Sequence, residues 1–192
     1  MTDKTPLRYR IPRLLVLFGL TWLASASASA ADTSPIRSID VVHDSDTYKA
    51  TVQMVAPVPQ AVAWAVLTDF ENMAGWVPNV RESKVLERNQ NVVVIEQHGV
   101  ARFGLASFPY TSVRQLELDP ERSIKSTQLK GSMRRLESTM TLVPDSDGTR
   151  LVYQMEMVPT GLAAAVVSKD FLTHELSEQF SAIIDEMKHR AR

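Results

Sequence analysis

The sequence contains no cysteine, which removes disulfide frameworks, thiolate nucleophiles and cysteine metal sites together. Neither sign of charge is in excess: Lys+Arg total 21 against Asp+Glu 22, a formal net charge of -1. That balance leaves no electrostatic footprint for a phosphate backbone, so nucleic acid is not an expected partner. Histidine is scarce, with four residues. No G-x-S-x-G elbow, H-E-x-x-H pair, glycine-rich phosphate loop or metal-ligand spacing occurs, and neither a cofactor nor a metal is expected. What is there is 192 residues, 44% hydrophobic and 22% charged, enough for one domain with a full core.

The N-terminus has the three parts of a secretory signal. Arg8, Arg10 and Arg13 form a basic region, residues 14–24 an apolar run, and residues 25–31 a small-residue stretch containing the A-x-A string Ala28-Ser29-Ala30. Cleavage is expected after Ala30 or one residue later. An uncleaved anchor is the rival reading, but residues 14–24 would span roughly 16 Å as a helix, about half a hydrocarbon core. Residues 1–30 carry Lys4, Arg8, Arg10 and Arg13 against Asp3, so their removal leaves 17 basic and 21 acidic residues, net -4. Such a chain has no general attraction to anionic lipid, and no stable membrane insertion is expected after cleavage. The expected plan is a cleaved signal over 1–30, a linker over 31–37 and one domain over 38–192.

Residues 39–55 are rich in Val, Thr and Tyr and read as a first strand, with Tyr48, Val52 and Met54 on one side. His43-Asp44-Ser45-Asp46 reads as a turn inside it, leaving one strand or two open. Pro57 and Pro59 stop the strand; a short helix is expected over 60–68 and a second over 69–74, before Gly75-Trp76-Val77-Pro78. Strands follow over 80–87, 92–98, 101–106, 110–118, 123–129, 133–143 and 150–158, the first two joined by the polar residues 88–91 as a hairpin. Gly104 and Pro109 suggest a bend or bulge. From residue 160 the period changes: Leu162, Val166, Leu172, Leu176, Phe180, Ile183 and Met187 recur at three and four residues, with one six-residue step bridged by Phe171. One long helix is predicted, its stripe buried on the inner face of an antiparallel sheet, giving an α+β fold.

Local strings then resemble a known family. Val58-Pro59-Gln60-Ala61-Val62-Ala63-Trp64, Leu67-Thr68-Asp69-Phe70 and Met73-Ala74-Gly75-Trp76-Val77-Pro78, with a second patch over 133–143 running through Asp147-Gly148-Thr149-Arg150-Leu151 to Tyr153, are similar to the START-like or SRPBCC superfamily, in its polyketide cyclase/dehydrase and coenzyme Q-binding branch. The resemblance covers about residues 38–189. It implies a helix-grip fold, with a curved antiparallel sheet of about six to seven strands wrapped on a long C-terminal helix and two short helices after the first strand. It also implies a cavity between sheet and helix that takes lipids, quinones, isoprenoids or polyketides.

Period-2 alternation assigns faces. Leu151, Tyr153, Met155 and Met157 should point at the helix, with Leu136, Met140 and Leu142 beside them; on the strand over 110–118 the inward side holds Tyr110, Arg114, Leu116 and Leu118, with Phe108 just before it. Methionines there serve either as core or as adaptable apolar lining. Arg114, if buried, requires a partner, a ligand oxygen or Glu137; otherwise it lies on a solvated edge. Trp76 is either a packing wedge or a gate over the cavity mouth, with Phe103, Phe108 and Tyr110 as the opposite rim. Phe171 completes the expected ligand-contacting set. No base positioned by a partner stands out; His98 with Arg102 is the weak catalytic candidate, as acid/base and oxyanion stabiliser. The expected function is an exported, periplasmic binding or carrier protein for a hydrophobic small molecule. A cyclase/dehydratase, needing His98, Arg102, Arg114 or Tyr153 to converge in the cavity, and a protein-interaction module are the alternatives.

Overall fold

The computed structural model describes residues 34–103 and 106–192, with nothing stated of the Phe103 and Ala106 side chains. The expected signal over 1–30 lies outside the described residues. In chain order the elements are β1 (Ile36–Asp44), β2 (Thr47–Ala56), α1 (Gln60–Leu67), a 3-10 helix (Phe70–Gly75), β3 (Val80–Asn89), β4 (Val92–Phe103), β5 (Ala106–Asp119), β6 (Ser123–Gly131), β7 (Met133–Asp145), β8 (Gly148–Pro159), α2 (Leu162–Val166) and α3 (Lys169–Arg190). The strands form one antiparallel sheet in the order β1-β2-β8-β7-β6-β5-β4-β3. This is the expected α+β helix-grip architecture, with eight strands rather than six to seven.

The differences have local causes. Residues 39–55 are a hairpin, because Ser45 takes a φ of 57° and Asp44 pairs with Thr47 across a two-residue turn. The first strand begins at Ile36, three residues ahead of the expected start at Ile39. The β3–β4 link is also two residues, with Gln90 at a φ of 50° and Asn89 paired with Val92. Residues 101–106 are no separate strand: Ala101 to Phe103 extend β4, and Ala106 opens β5. Gly104 lies outside the described residues. Gly99 stays in register opposite Tyr110; a Cβ there would lie 2.1 Å from the Asn79 carbonyl and 2.6 Å from the Tyr110 ring, so close approach is what requires glycine. Nor is Pro109 a bulge. It pairs in register with Val100, where β5 has no second neighbour, since β6 pairing begins only at Ser112.

The terminal segment is two helices. The six-residue step in its apolar stripe falls where α2 ends and Ser168 caps α3, its hydroxyl accepting from the Phe171 amide at 3.1 Å. The Tyr48 hydroxyl donates to the Val167 carbonyl at 3.0 Å and fixes this break over β2. Leu162 is therefore 77% exposed, while Phe171, Leu172, Leu176, Phe180, Ile183, Ile184 and Met187 are buried against the sheet. At the far end Arg190 bonds Glu186 and Asp69, each at 2.6 Å, tying α3 to the segment after α1.

Candidate functional site

Between the inner face of the sheet and α3 lies a cavity of about 250 Å³. Its position follows from strand parity. On β8, Tyr153, Met155 and Met157 face it; on β7, Leu136, Ser138 and Met140; on β5, Phe108, Tyr110, Ser112, Arg114 and Leu116. The helix contributes Phe171, Leu172, Leu176, Phe180 and Ile183. The lining is mostly apolar with a few convergent polar groups, the usual composition of a small-molecule site.

The polar groups are ordered by one another. Arg114 Nη2 donates to Gln97 Oε1, and Gln97 Nε2 donates to Ser83 Oγ at 3.1 Å, with Met73 Sδ at 3.4 Å. Arg114 Nε is buried and has no hydrogen-bond partner. Burial pushes the guanidinium below its ordinary value, with Tyr153 and Tyr110 opposing. The Tyr153 phenol is raised by burial, an effect opposed by a Ser138 hydrogen bond and by Arg114. The Tyr110 hydroxyl donates to the Asn79 carbonyl at 3.2 Å. Asn79 Nδ2 in turn donates to Glu175 Oε2 at 3.0 Å, and the Arg102 backbone amide to Glu175 Oε1 at 2.9 Å. This chain joins β4, β5 and α3 at one end of the cavity.

Burial pushes the Tyr110 phenol up to about 12, with Arg114 lowering it and Glu175 raising it. An unfolded tyrosine ionises near about 10, so this group's contribution to stability is complete below that pH and is lost as pH rises towards 12. Spectrophotometric titration should show Tyr110 and Tyr153 ionising only above the ordinary tyrosine range and together with loss of near-ultraviolet circular dichroism. Ionisation of every tyrosine around about pH 10 in the folded protein would contradict the burial.

A family model described as polyketide cyclase/dehydrase and lipid transport matches residues 47–192. The chain belongs to this family. Solved structures share its fold at low identity. The Zhui aromatase/cyclase from Streptomyces sp. R1128 is 22% identical with a TM-score of 0.61, over 81% of this chain and 97% of that one. A STAR-related lipid transfer protein from Xanthomonas axonopodis is 14% identical with a TM-score of 0.60, over 78% and 98%. A START superfamily protein from Mycobacterium smegmatis is 13% identical with a TM-score of 0.55, over 76% and 96%. No curated protein sequence matches the chain.

In this member of the polyketide cyclase/dehydrase and lipid transport family, Phe108, Tyr110, Arg114, Met140, Tyr153, Met155, Met157 and Phe171 all line the cavity. Trp76 does not: it is half-buried, packs against the core and leaves its Nε1 buried without an acceptor, while its neighbours Val77 and Asn79 reach the lining. Phe103 lies on β4, but its side chain is outside the described residues. His98 and Arg102 are corrected as cavity residues. On β4 the buried positions are Val93, Ile95, Gln97, Gly99 and Ala101, so His98 and Arg102 fall on the opposite face, His98 lying 3.7 Å from Glu96. Arg114 does not meet Glu137 either, which is exposed and lines the outer face of the sheet.

The sequence reading missed the polar lining, namely Gln97, Ser112, Ser126, Gln128 and Ser138. A signal was present for Ser112 and Ser138, polar residues at the inward parity assigned to β5 and β7. His174 beside Glu175 matches no catalytic motif in the sequence; in the structure His174, Glu175 and Glu178 have ligand atoms within 4.8 Å of one another. Glu175 already accepts from Asn79 and Arg102 there.

Proposed function

We propose that the protein is an exported, periplasmic carrier or binding protein for a hydrophobic small molecule held between the sheet and α3. The observation that carries this reading is the apolar cavity floored by Met140, Met155 and Met157 and roofed by Phe171, Leu172 and Phe180. Unbranched thioethers adapt to ligands of loosely defined shape. Membership of a family described as including lipid transport supports it, as does the name of the Xanthomonas axonopodis relative in fold. Export rests on the basic, apolar and small-residue order over residues 8–31. Among the described residues no helix is long and apolar enough to cross a membrane.

The cyclase/dehydratase reading draws on the same cavity. Of the four residues it requires, Arg114 and Tyr153 line the cavity, whereas His98 and Arg102 lie on the other face of β4. Glu175, the carboxylate in the lining, is engaged by Asn79 and the Arg102 amide rather than paired with a catalytic base or nucleophile, which favours the carrier reading. Native mass spectrometry of the protein purified from its own cells, followed by organic extraction, tests it. A stoichiometric apolar adduct supports carriage, and an empty protein that binds no lipid, quinone or isoprenoid overturns it. N-terminal sequencing of the same sample should begin at Ala31 or Asp32; an intact Met1 in a cytoplasmic fraction contradicts export.

A further inference from the structure

We infer that the cavity selects ligands bearing one carboxylate on an apolar body, with Arg114 as the head-group receptor. The inference rests on the carrier reading and specifies its ligand class. Arg114 lies on β5 in the cavity wall, in reach of the Tyr153 and Tyr110 phenols, its Nη2 donating to Gln97 and its Nε buried with no acceptor. A buried guanidinium needs two things, acceptors for its N–H groups and an opposite charge. Gln97 supplies a neutral acceptor alone. It is itself held by Ser83, which fixes the guanidinium in the cavity wall.

No ion pair among the described residues reaches Arg114. Glu175, the carboxylate among the lining residues, is engaged by Asn79 Nδ2 and the Arg102 amide instead. The missing counter-charge is therefore left to a ligand. A neutral carbonyl or hydroxyl would satisfy Nε but not the charge, whereas a carboxylate satisfies both, since arginine N–H groups match carboxylate geometry. One charge sets the valence. Arg114 is the only Lys, Arg or His among the described lining residues, so a phosphate dianion would bring more charge than the wall can balance. The volume of about 250 Å³ is small for a ligand cavity and suits one chain or ring system rather than a two-chain lipid.

The test compares dodecanoate with methyl dodecanoate, equal in chain and different in charge, by titration calorimetry on the wild-type protein, Arg114→Met, Arg114→Gln and Arg114→Lys. The expected result is an acid bound about 10- to 100-fold more tightly than its ester by the wild type. Arg114→Met and Arg114→Gln should remove that preference by lowering affinity for the acid far more than for the ester, while Arg114→Lys should keep part of it. Thermal melts confirm that each variant is folded, and Gln, being polar, stands in should Met fail to fold. Equal binding of acid and ester by the wild type, or a preference that survives both neutral substitutions, overturns the carboxylate inference and leaves the carrier reading standing. Failure of both probes to bind overturns the carboxylate inference as well, and the carrier reading is then decided by the mass-spectrometric test on the protein from its own cells.

Discussion

Phe180→Ala should destabilise the domain by about 3–5 kcal/mol, the usual cost of truncating a fully packed aromatic. Phe180 is 2% exposed at the middle of α3, and its ring centroid lies 4.9 Å from that of Tyr153 at an interplanar angle of 60°. Part of the loss is the tilted aromatic contact, about 0.5–1.5 kcal/mol; the rest is lost burial and a void opening into an existing cavity. Denaturant unfolding gives the number directly. A loss under about 1 kcal/mol would mean that α3 does not grip the sheet along this face. Because the void joins the ligand space, a bound apolar molecule should recover part of the loss, by an amount that rises with ligand concentration.

The second large effect is expected at Gly148, which opens β8. Its φ is +131°, and a Cβ would meet the Ala56 carbonyl at 2.2 Å and Pro57 Cα and Val58 N at 2.8 Å. All three are backbone atoms at the end of β2, so no side chain can swing away. The next residue, Thr149, is fully buried and donates its hydroxyl to the Val58 carbonyl at 2.8 Å, locking the two segments together. Gly148→Ala should therefore cost at least about 3 kcal/mol, combining backbone strain with overpacking. Gly161 is the control. Its φ is +55°, but a Cβ there meets nothing within 4 Å, so Gly161→Ala should cost only the conformational term, about 1–2 kcal/mol. Equal losses at the two sites, read from denaturation midpoints, would contradict the close approach of β8 to the end of β2.

How far the sequence revealed this structure depended on how one-sided each element is. In β8, Leu151, Met155 and Met157 alternate with Arg150, Gln154 and Glu156, so its parity was readable and its cavity residues with it. In β4 the run Val92-Val93-Val94-Ile95 is apolar on both faces. Parity is then undefined from the pattern alone, and the structure decides it: His98 and Arg102, the weak catalytic candidates, face away from the cavity. Pro109 reads as a bend or bulge because the reason it is tolerated, the missing second neighbour of β5 there, is tertiary. The α3 stripe was legible from its period, and even the six-residue step in it marked the real break at Ser168. Trp76 reads either as a packing wedge or as a gate over the mouth, and only the tertiary structure decides: it packs against the core and does not line the cavity.

The central claim, an apolar ligand held between sheet and α3, is tested most directly by methyl NMR on methionine. Met73, Met133, Met140, Met155 and Met157 line the cavity, whereas Met54 and Met187, both fully buried, do not. On titration with dodecanoate or its methyl ester, the cavity methyls, above all Met140 and Met155, should shift and saturate together while Met54 and Met187 stay fixed. Unmoved cavity methyls at saturating ligand, or shifts of equal size at Met54 and Met187, would contradict the account.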